Sequence, residues 1–301
     1  MYIQGGRIDQ LTKLQYFKWE DKFRKQKPYS LLMQAPDGFP SVNYTHESGP
    51  PETVEDVRGR EHEFTLDQHG FALRVQDLPA IDFNGEHVEE EYFPLVRQLI
   101  RDECGLETEI VIFDWRLRSS GPRRTEHGAA EYVNLADPQL YLRPAVVAHV
   151  MRPDQTPNAA RRRVLHHVPE RGEDLLNSKR FRIINVWRPM ASAVQDCPLA
   201  CCDGSTVRPE DMVPVDTVRS SVVGESWQVM YRDYYRWYYV SKQTKNEALL
   251  IKMFDSDKAR HGLTRRLESD CPHTSFKIDG VPASAPPRES IEVRALVFNH
   301  G

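Results

Sequence analysis

No apolar run in the chain approaches the ~18 residues that a membrane-crossing helix needs. Met1–Gly6 shows neither the basic start nor the apolar stretch of a signal peptide. Long basic runs are missing too: net charge is -4, and Arg161-Arg162-Arg163 is the single dense cluster, which reads as a solvated helix face. Binding to nucleic acid by phosphate neutralisation is therefore not expected. The five cysteines (Cys104, Cys197, Cys201, Cys202, Cys271) contain no CxxC spacing. Their CxxxCC cluster fits no common zinc pattern, and an odd count leaves at least one thiol unpaired. Reduced, mostly buried thiols and a cytosolic (cytoplasmic) location are the expectation. Internal repeats, low-complexity linkers and a regular strand–helix alternation are also missing, and the last of these argues against a doubly wound sheet.

What the chain does have is 301 residues with a 40% hydrophobic and 28% charged composition, enough for a substantial core. Val88, Tyr92, Leu95, Val96, Leu99 and Ile100 fall at helical spacing, so a helix is expected over 86–104, stopped by Gly105 and kinked or delayed by Pro94. Short β-type runs then accumulate at 110–113, 145–150, 182–187, 227–231, 237–240, 249–254 and 291–298. In the last of these, Ile291, Val293, Ala295 and Val297 share one face. Thr156-Pro157 has the form of an N-cap followed by proline at the first helical position, with a helix toward Leu165. Residues 37–52 and 278–287 read as irregular connections. The expected fold is α+β but mainly β: one domain over 1–301, with a helical or irregular part at 1–106 and a barrel or jelly-roll core at 107–301.

One set of residues suggests redox chemistry at a metal. A mononuclear iron(II) oxygenase needs two neutral imidazoles and one carboxylate on one face of the ion, leaving positions open for a 2-oxo acid and dioxygen. His273 is followed by Arg288-Glu289-Ser290, a spacing at which a guanidinium and a hydroxyl can grip the distal carboxylate of the 2-oxo acid. The bland alternative is a loop histidine and a surface arginine. Upstream, His149 ends an apolar run and Asp154 lies five residues on, rather than the two that put both side chains on one strand face. His149, Asp154 and His273 can therefore share iron only if Met151-Arg152-Pro153 bulges out. His166, His167 and His69 read as helix-end and turn residues. Trp187-Arg188 and Tyr235-Arg236 sit in runs dense in aromatics and arginine, which suit either a substrate pocket or core packing.

With those residues in view, the sequence resembles the fungal AsaB-type hydroxylase/desaturase family, related to gibberellin-desaturase-like and cephamycin-pathway proteins. The resemblance runs through Tyr16-Phe17-Lys18, Asp56-Val57-Arg58-Gly59, residues 66–71, Asp154-Gln155-Thr156, residues 185–189, Pro198-Leu199-Ala200, Asp255-Ser256, residues 273–276 and residues 288–294. It implies a double-stranded β-helix and oxidation of a small metabolite with Fe(II), 2-oxoglutarate and dioxygen, in fungal secondary metabolism. Family members carry His-x-Asp-Gln-Thr; in ungapped register Arg152 occupies the place of that histidine, and Tyr235 stands where many relatives have His before Arg-Trp-Tyr-Tyr. Two alternatives remain at this point. One is a barrel that binds without competent metal chemistry, and the other is an iron oxidase that does not use 2-oxoglutarate. Substrate identity and oligomeric state are not legible.

Overall fold

The computed structural model describes residues 7–33, 35–122, 137–150, 156–218, 223–257 and 270–299. Two sheets dominate. The larger has nine strands in the order β1 (Gln10–Phe17), β3 (His46–Asp56), β11 (Trp237–Tyr239), β8 (Leu199–Cys202), β13 (His273–Ser275), β6 (His149–Val150), β10 (Val223–Val229), β9 (Met212–Val218) and β2 (Tyr29–Leu31). The smaller has five: β4 (Phe71–Val75), β12 (Glu247–Asp255), β7 (Arg180–Pro189), β14 (Glu289–Asn299) and β5 (Glu109–Ser119). Pairing is antiparallel except between β3 and β11 and between β2 and β9.

The small sheet is buried on both faces, and the two faces differ. Ile291, Val293, Ala295 and Val297 of β14 do share one side, as their alternation requires. That side also carries Trp115, Leu117, Ile184 and Val186, and it packs beneath a helix. The opposite side turns Phe181, Ile183, Trp187, Leu296 and Phe298 toward the large sheet, which meets them with Leu199, Ala200, Cys201 and Tyr238. The space between the sheets is where the candidate site lies.

The covering helix begins as one turn, α1 (Gly85–His87), widens through a π turn at Val88–Tyr92, and continues as α2 (Phe93–Cys104). Pro94 explains the wide turn: it has no N–H to give, and the Phe93 N–H bonds the Val88 carbonyl instead. Val88, Tyr92, Val96, Leu99 and Ile100 are buried on its inner stripe. Gly105 ends the helix at φ 103°, donating to the Arg101 carbonyl at 2.8 Å. A Cβ there meets only the Thr108 hydroxyl at 4.0 Å, so the cost of Gly105→Ala is conformational rather than steric. It is expected to lower stability by about 1–2 kcal/mol in denaturant titration. An unchanged midpoint would mean that the helix end relaxes freely. Downstream, the Thr156 hydroxyl caps α3 (Pro157–His167) by accepting from the Ala159 N–H at 3.2 Å, and α4 (Gly172–Ser178) follows.

The N-terminal third departs from expectation. It is not only helical and irregular: β1 to β4 arise from it and enter both sheets. The expected surface connection at 37–52 runs instead into β3, an interior strand between β1 and β11. Pro50 and Pro51 are tolerated there because the ladder slips beside them, with Lys13 opposite Pro51 but Gln15 opposite Ser48. At this bulge Gly49 passes the Tyr16 ring so closely that a Cβ would sit 2.8 Å from it. All five thiols are free, with only Cys104 not fully buried. Among the described residues no helix is long and apolar enough to cross a membrane.

Candidate functional site

β13 is short because Cys271-Pro272 leads into it and the chain leaves the ladder after Ser275. His273 is buried, and its Nδ1 lies 3.0 Å from the Cys271 carbonyl. A carbonyl only accepts, so Nδ1 carries the proton and Nε2 is the nitrogen with the lone pair, the tautomer that binds metals. Burial holds the imidazole pKa below its ordinary value, which keeps the ring neutral.

Two residues on, Ser275 shares the face of His273 and accepts from Arg288 Nη1 at 2.9 Å. The same Nη1 donates to the Cys197 carbonyl at 2.7 Å, and the Trp187 ring lies 5.5 Å from the guanidinium carbon. Arg288 is thus fixed from both sheets at 2% exposure, yet its Nε and Nη2 have no hydrogen-bond partner among the described residues. Nor has the hydroxyl of Ser290, which is fully buried. Burial pushes the Arg288 pKa down to about 10. Unsatisfied buried donors of this kind are costly, and a carboxylate would answer all three at once.

Beyond Ser290, the inward face of β14 continues with Glu292 and Arg294. Glu292 Oε1 accepts from Arg294 Nε at 2.9 Å, Arg294 Nη2 at 2.8 Å and Asn185 Nδ2 at 3.0 Å. Arg294 in turn bonds Asp114 at 2.6 Å. Burial alone would raise the Glu292 pKa, but the charges of Arg294 and Arg118 outweigh it and hold the carboxyl down to about 2. The network also orients Asn185, whose committed Nδ2 leaves Oδ1 without a partner among the described residues. A wall of Ile183, Leu249, Ile251 and Phe254 completes an interior that is polar toward β14 and β5 and apolar toward β12.

The sequence-expected residues divide. His273, Arg288, Ser290 and Trp187 come together. The backbone of His149 lies directly opposite that of His273 in the β6–β13 ladder, and Asp154 and Arg152 lie outside the described residues. No cluster of three metal-binding side chains is complete among the described residues. Arg188 parts from Trp187: adjacent strand residues face opposite ways, and Arg188 packs on the outer side over the Tyr92 ring at 5.5 Å. There it donates to Gln76 at 2.8 Å and to the Lys245 carbonyl at 3.3 Å, so the two do not line one pocket. Tyr235 and Arg236 part in the same way. Tyr235 is buried against Tyr16 and Trp237, with ring centroids 6.4 and 6.5 Å away. Arg236 is exposed beside an open recess of about 480 Å³ that also includes Arg208 and Tyr234. Ser275, Asn185 and Glu292 were not singled out from sequence, although stepping by two from His273, Trp187 and Ser290 reaches each of them.

Comparison with known proteins places this chain in a family. The model of the oxidoreductase/YMDC permease-like domain matches residues 14–298. The hydroxylase/desaturase poxK of Penicillium oxalicum is 32% identical over 91% of this chain and 88% of its own length. The Fe(II)/2-oxoglutarate-dependent dioxygenase nvfI of Aspergillus novofumigatus is 31% identical, covering 81% of each chain. A solved structure of the iron and alpha-ketoglutarate-dependent endoperoxidase NvfI superposes with a TM-score of 0.78 at 27% identity, over 98% of this chain and 100% of that one. The match spans both sheets and the segments bearing His273 and Arg288, and the chain belongs to the fungal hydroxylase/desaturase family of oxidoreductases.

Proposed function

We propose that this protein is a non-haem iron(II), 2-oxoglutarate-dependent oxygenase with a double-stranded β-helix core, acting with dioxygen on a small molecule of fungal secondary metabolism. The observation that carries this reading is the set of three buried donors without partners among the described residues, Arg288 Nε, Arg288 Nη2 and Ser290 Oγ, beside a neutral His273. They fit one carboxylate of 2-oxoglutarate, gripped by the guanidinium edge and the hydroxyl. His273 offers Nε2 to iron(II); His149, opposite it in the ladder, and Asp154 are the other proposed ligands. When bound, the metal and 2-oxoglutarate supply the dioxygen chemistry that oxidises an unactivated C–H bond.

The chain's own residues do the positioning. The Cys271 carbonyl fixes the His273 tautomer, while Ser275 and the Cys197 carbonyl aim Arg288. Trp187 covers the guanidinium and keeps water from it. The apolar wall of Ile183, Leu249 and Ile251 suits a hydrophobic substrate body. Hydroxylation, desaturation and ring formation all suit such a site. Free thiols throughout support a cytosolic setting.

The test is an anaerobic titration of the full-length protein with iron(II), then 2-oxoglutarate. A visible charge-transfer band requiring both additions is expected, and His273→Ala is expected to lower iron content at least ~10-fold. No band, with iron content unchanged in His273→Ala, would sink the proposal. It would favour a barrel that binds without oxidising, the reading suggested by Arg152 in the register of a family histidine.

A further inference from the structure

Asn185 stands in the middle of β7, on the inner face of the small sheet. It is directly opposite Ile251 in the β7–β12 ladder and directly opposite Arg294 in the β7–β14 ladder. Directly opposed residues of an antiparallel pair share a face, so the three side chains form one row across the interior. Two residues along β7 in one direction is Trp187, which covers Arg288; two residues in the other is Ile183, part of the apolar wall. Each of those steps is ~6.6 Å. Asn185 therefore sits where the polar, co-substrate end of the interior gives way to the apolar one.

Its amide has one orientation. Glu292 Oε1 accepts from Asn185 at 3.0 Å and twice from Arg294. A carboxylate only accepts, so the amide nitrogen faces Glu292 and the carbonyl oxygen faces away from it. Asn185 is 1% exposed, and Oδ1 has no hydrogen-bond partner among the described residues. The row explains this: Ile251 and Ile183 have no donor to give, and the Arg294 guanidinium is directed to Glu292 and Asp114. Asn185 is also not what holds Glu292, which keeps two bonds from Arg294 without it. A buried carbonyl left in this state is costly until a donor reaches it. Arg288 and Ser290 call for an acceptor; Asn185 calls for the reverse, and a carboxylate cannot answer it.

We propose that Asn185 is a specificity residue for the substrate: Oδ1 accepts a hydrogen bond from a hydroxyl or N–H group on a ligand whose apolar body lies along Ile183, Leu249 and Ile251. The substrate class is then a hydrophobic molecule with a hydrogen-bond donor at this position, rather than a hydrocarbon, ketone or carboxylate. The assignment deepens the oxygenase reading above and rests on it for the identity of this interior as the substrate chamber.

The test is calorimetric titration of the full-length protein, loaded with iron(II) and 2-oxoglutarate under argon, with two matched pairs of probes: cyclohexanol against cyclohexanone, and borneol against camphor. Within each pair the carbon skeleton is the same, and only the alcohol can donate. The alcohol is expected to bind ~5- to 10-fold more tightly than the ketone in at least one pair, the worth of one neutral hydrogen bond. Asn185→Leu fills the space and Asn185→Ala empties it, but both remove the acceptor, so both should bring the ratio to within about twofold of unity. Retention of the 2-oxoglutarate charge-transfer band in each variant is the control for a folded pocket. Equal binding of alcohol and ketone in the wild type, or no binding of either alcohol, overturns the assignment. So does a preference that survives both substitutions, since the hydroxyl is then held by the metal or by another residue. If the wild type gives no charge-transfer band, the oxygenase reading falls by itself; an alcohol preference that disappears with Asn185 would still establish the donor site.

Discussion

Arg288→Met is expected to abolish 2-oxoglutarate binding while leaving the unliganded protein at least as stable as before. The two halves have one cause. Arg288 is almost fully buried, keeps two nitrogens without partners among the described residues, and has a pKa pulled down to about 10 by burial. Its bonds to the Cys197 carbonyl and Ser275 recover only part of the hydration that the guanidinium gave up. Methionine fills a similar volume and keeps contact with the Trp187 ring, so the empty pocket loses little. With ligand the balance reverses, because removing one partner of a buried, hydrogen-bonded charge pair costs about 2–5 kcal/mol of affinity. That is at least a ~30-fold loss.

Two melting curves check this. Saturating 2-oxoglutarate should raise the wild-type midpoint and leave Arg288→Met unmoved, while the unliganded midpoints agree within a few degrees. A drop of more than about 5 °C in the unliganded variant would make Arg288 a structural residue rather than one held ready for a ligand. Stability set aside in this way is common at functional sites, where the group that is costly in the empty protein is the one the ligand satisfies.

How much of this could be read from sequence depends on the kind of signal. The alternation of β14 is strictly local, and it placed Ile291, Val293, Ala295 and Val297 together without further information. The same period of two, applied to the complementary positions, yields Ser290, Glu292 and Arg294, so the polar wall was legible in principle. Applied to β7, it separates Trp187 from Arg188, a pair that chemical type alone had joined. Gly105 and Thr156 were legible because a helix end demands particular backbone geometry and a particular acceptor. β3 was not: Gly49, Pro50 and Pro51 are loop residues by composition, and only the tertiary ladder with β1 and β11 makes that stretch a strand. Ser275 was illegible for another reason: its role comes from Arg288, 13 residues further along the chain, and no local pattern marks it.

Glu292→Gln is expected to be the more damaging change to the fold, at about 3–5 kcal/mol, the usual penalty for stranding a buried charge by removing its partner. The carboxylate receives three hydrogen bonds at Oε1, and its loss leaves Arg294 with Asp114 alone and Asn185 without a strong acceptor. Replacing both sides, as in Glu292→Leu with Arg294→Met, should cost less than the sum of the single changes, since no charge is then left without its counter-ion. The acid limb of stability gives an independent reading. The Glu292 pKa lies at about 2 in the fold against an ordinary 4.5. Because folding lowers it, its contribution is complete above pH ~4.5 and is lost as pH falls toward 2, by roughly 3 kcal/mol in all. Glu292→Gln should therefore flatten the dependence between about pH 4.5 and 2 as well as lower the plateau. A variant with a lower plateau but the wild-type slope would assign the acid limb to other carboxylates, Asp255 first among them because Arg180 and Lys252 hold its pKa near 2 as well, despite the opposing effect of burial.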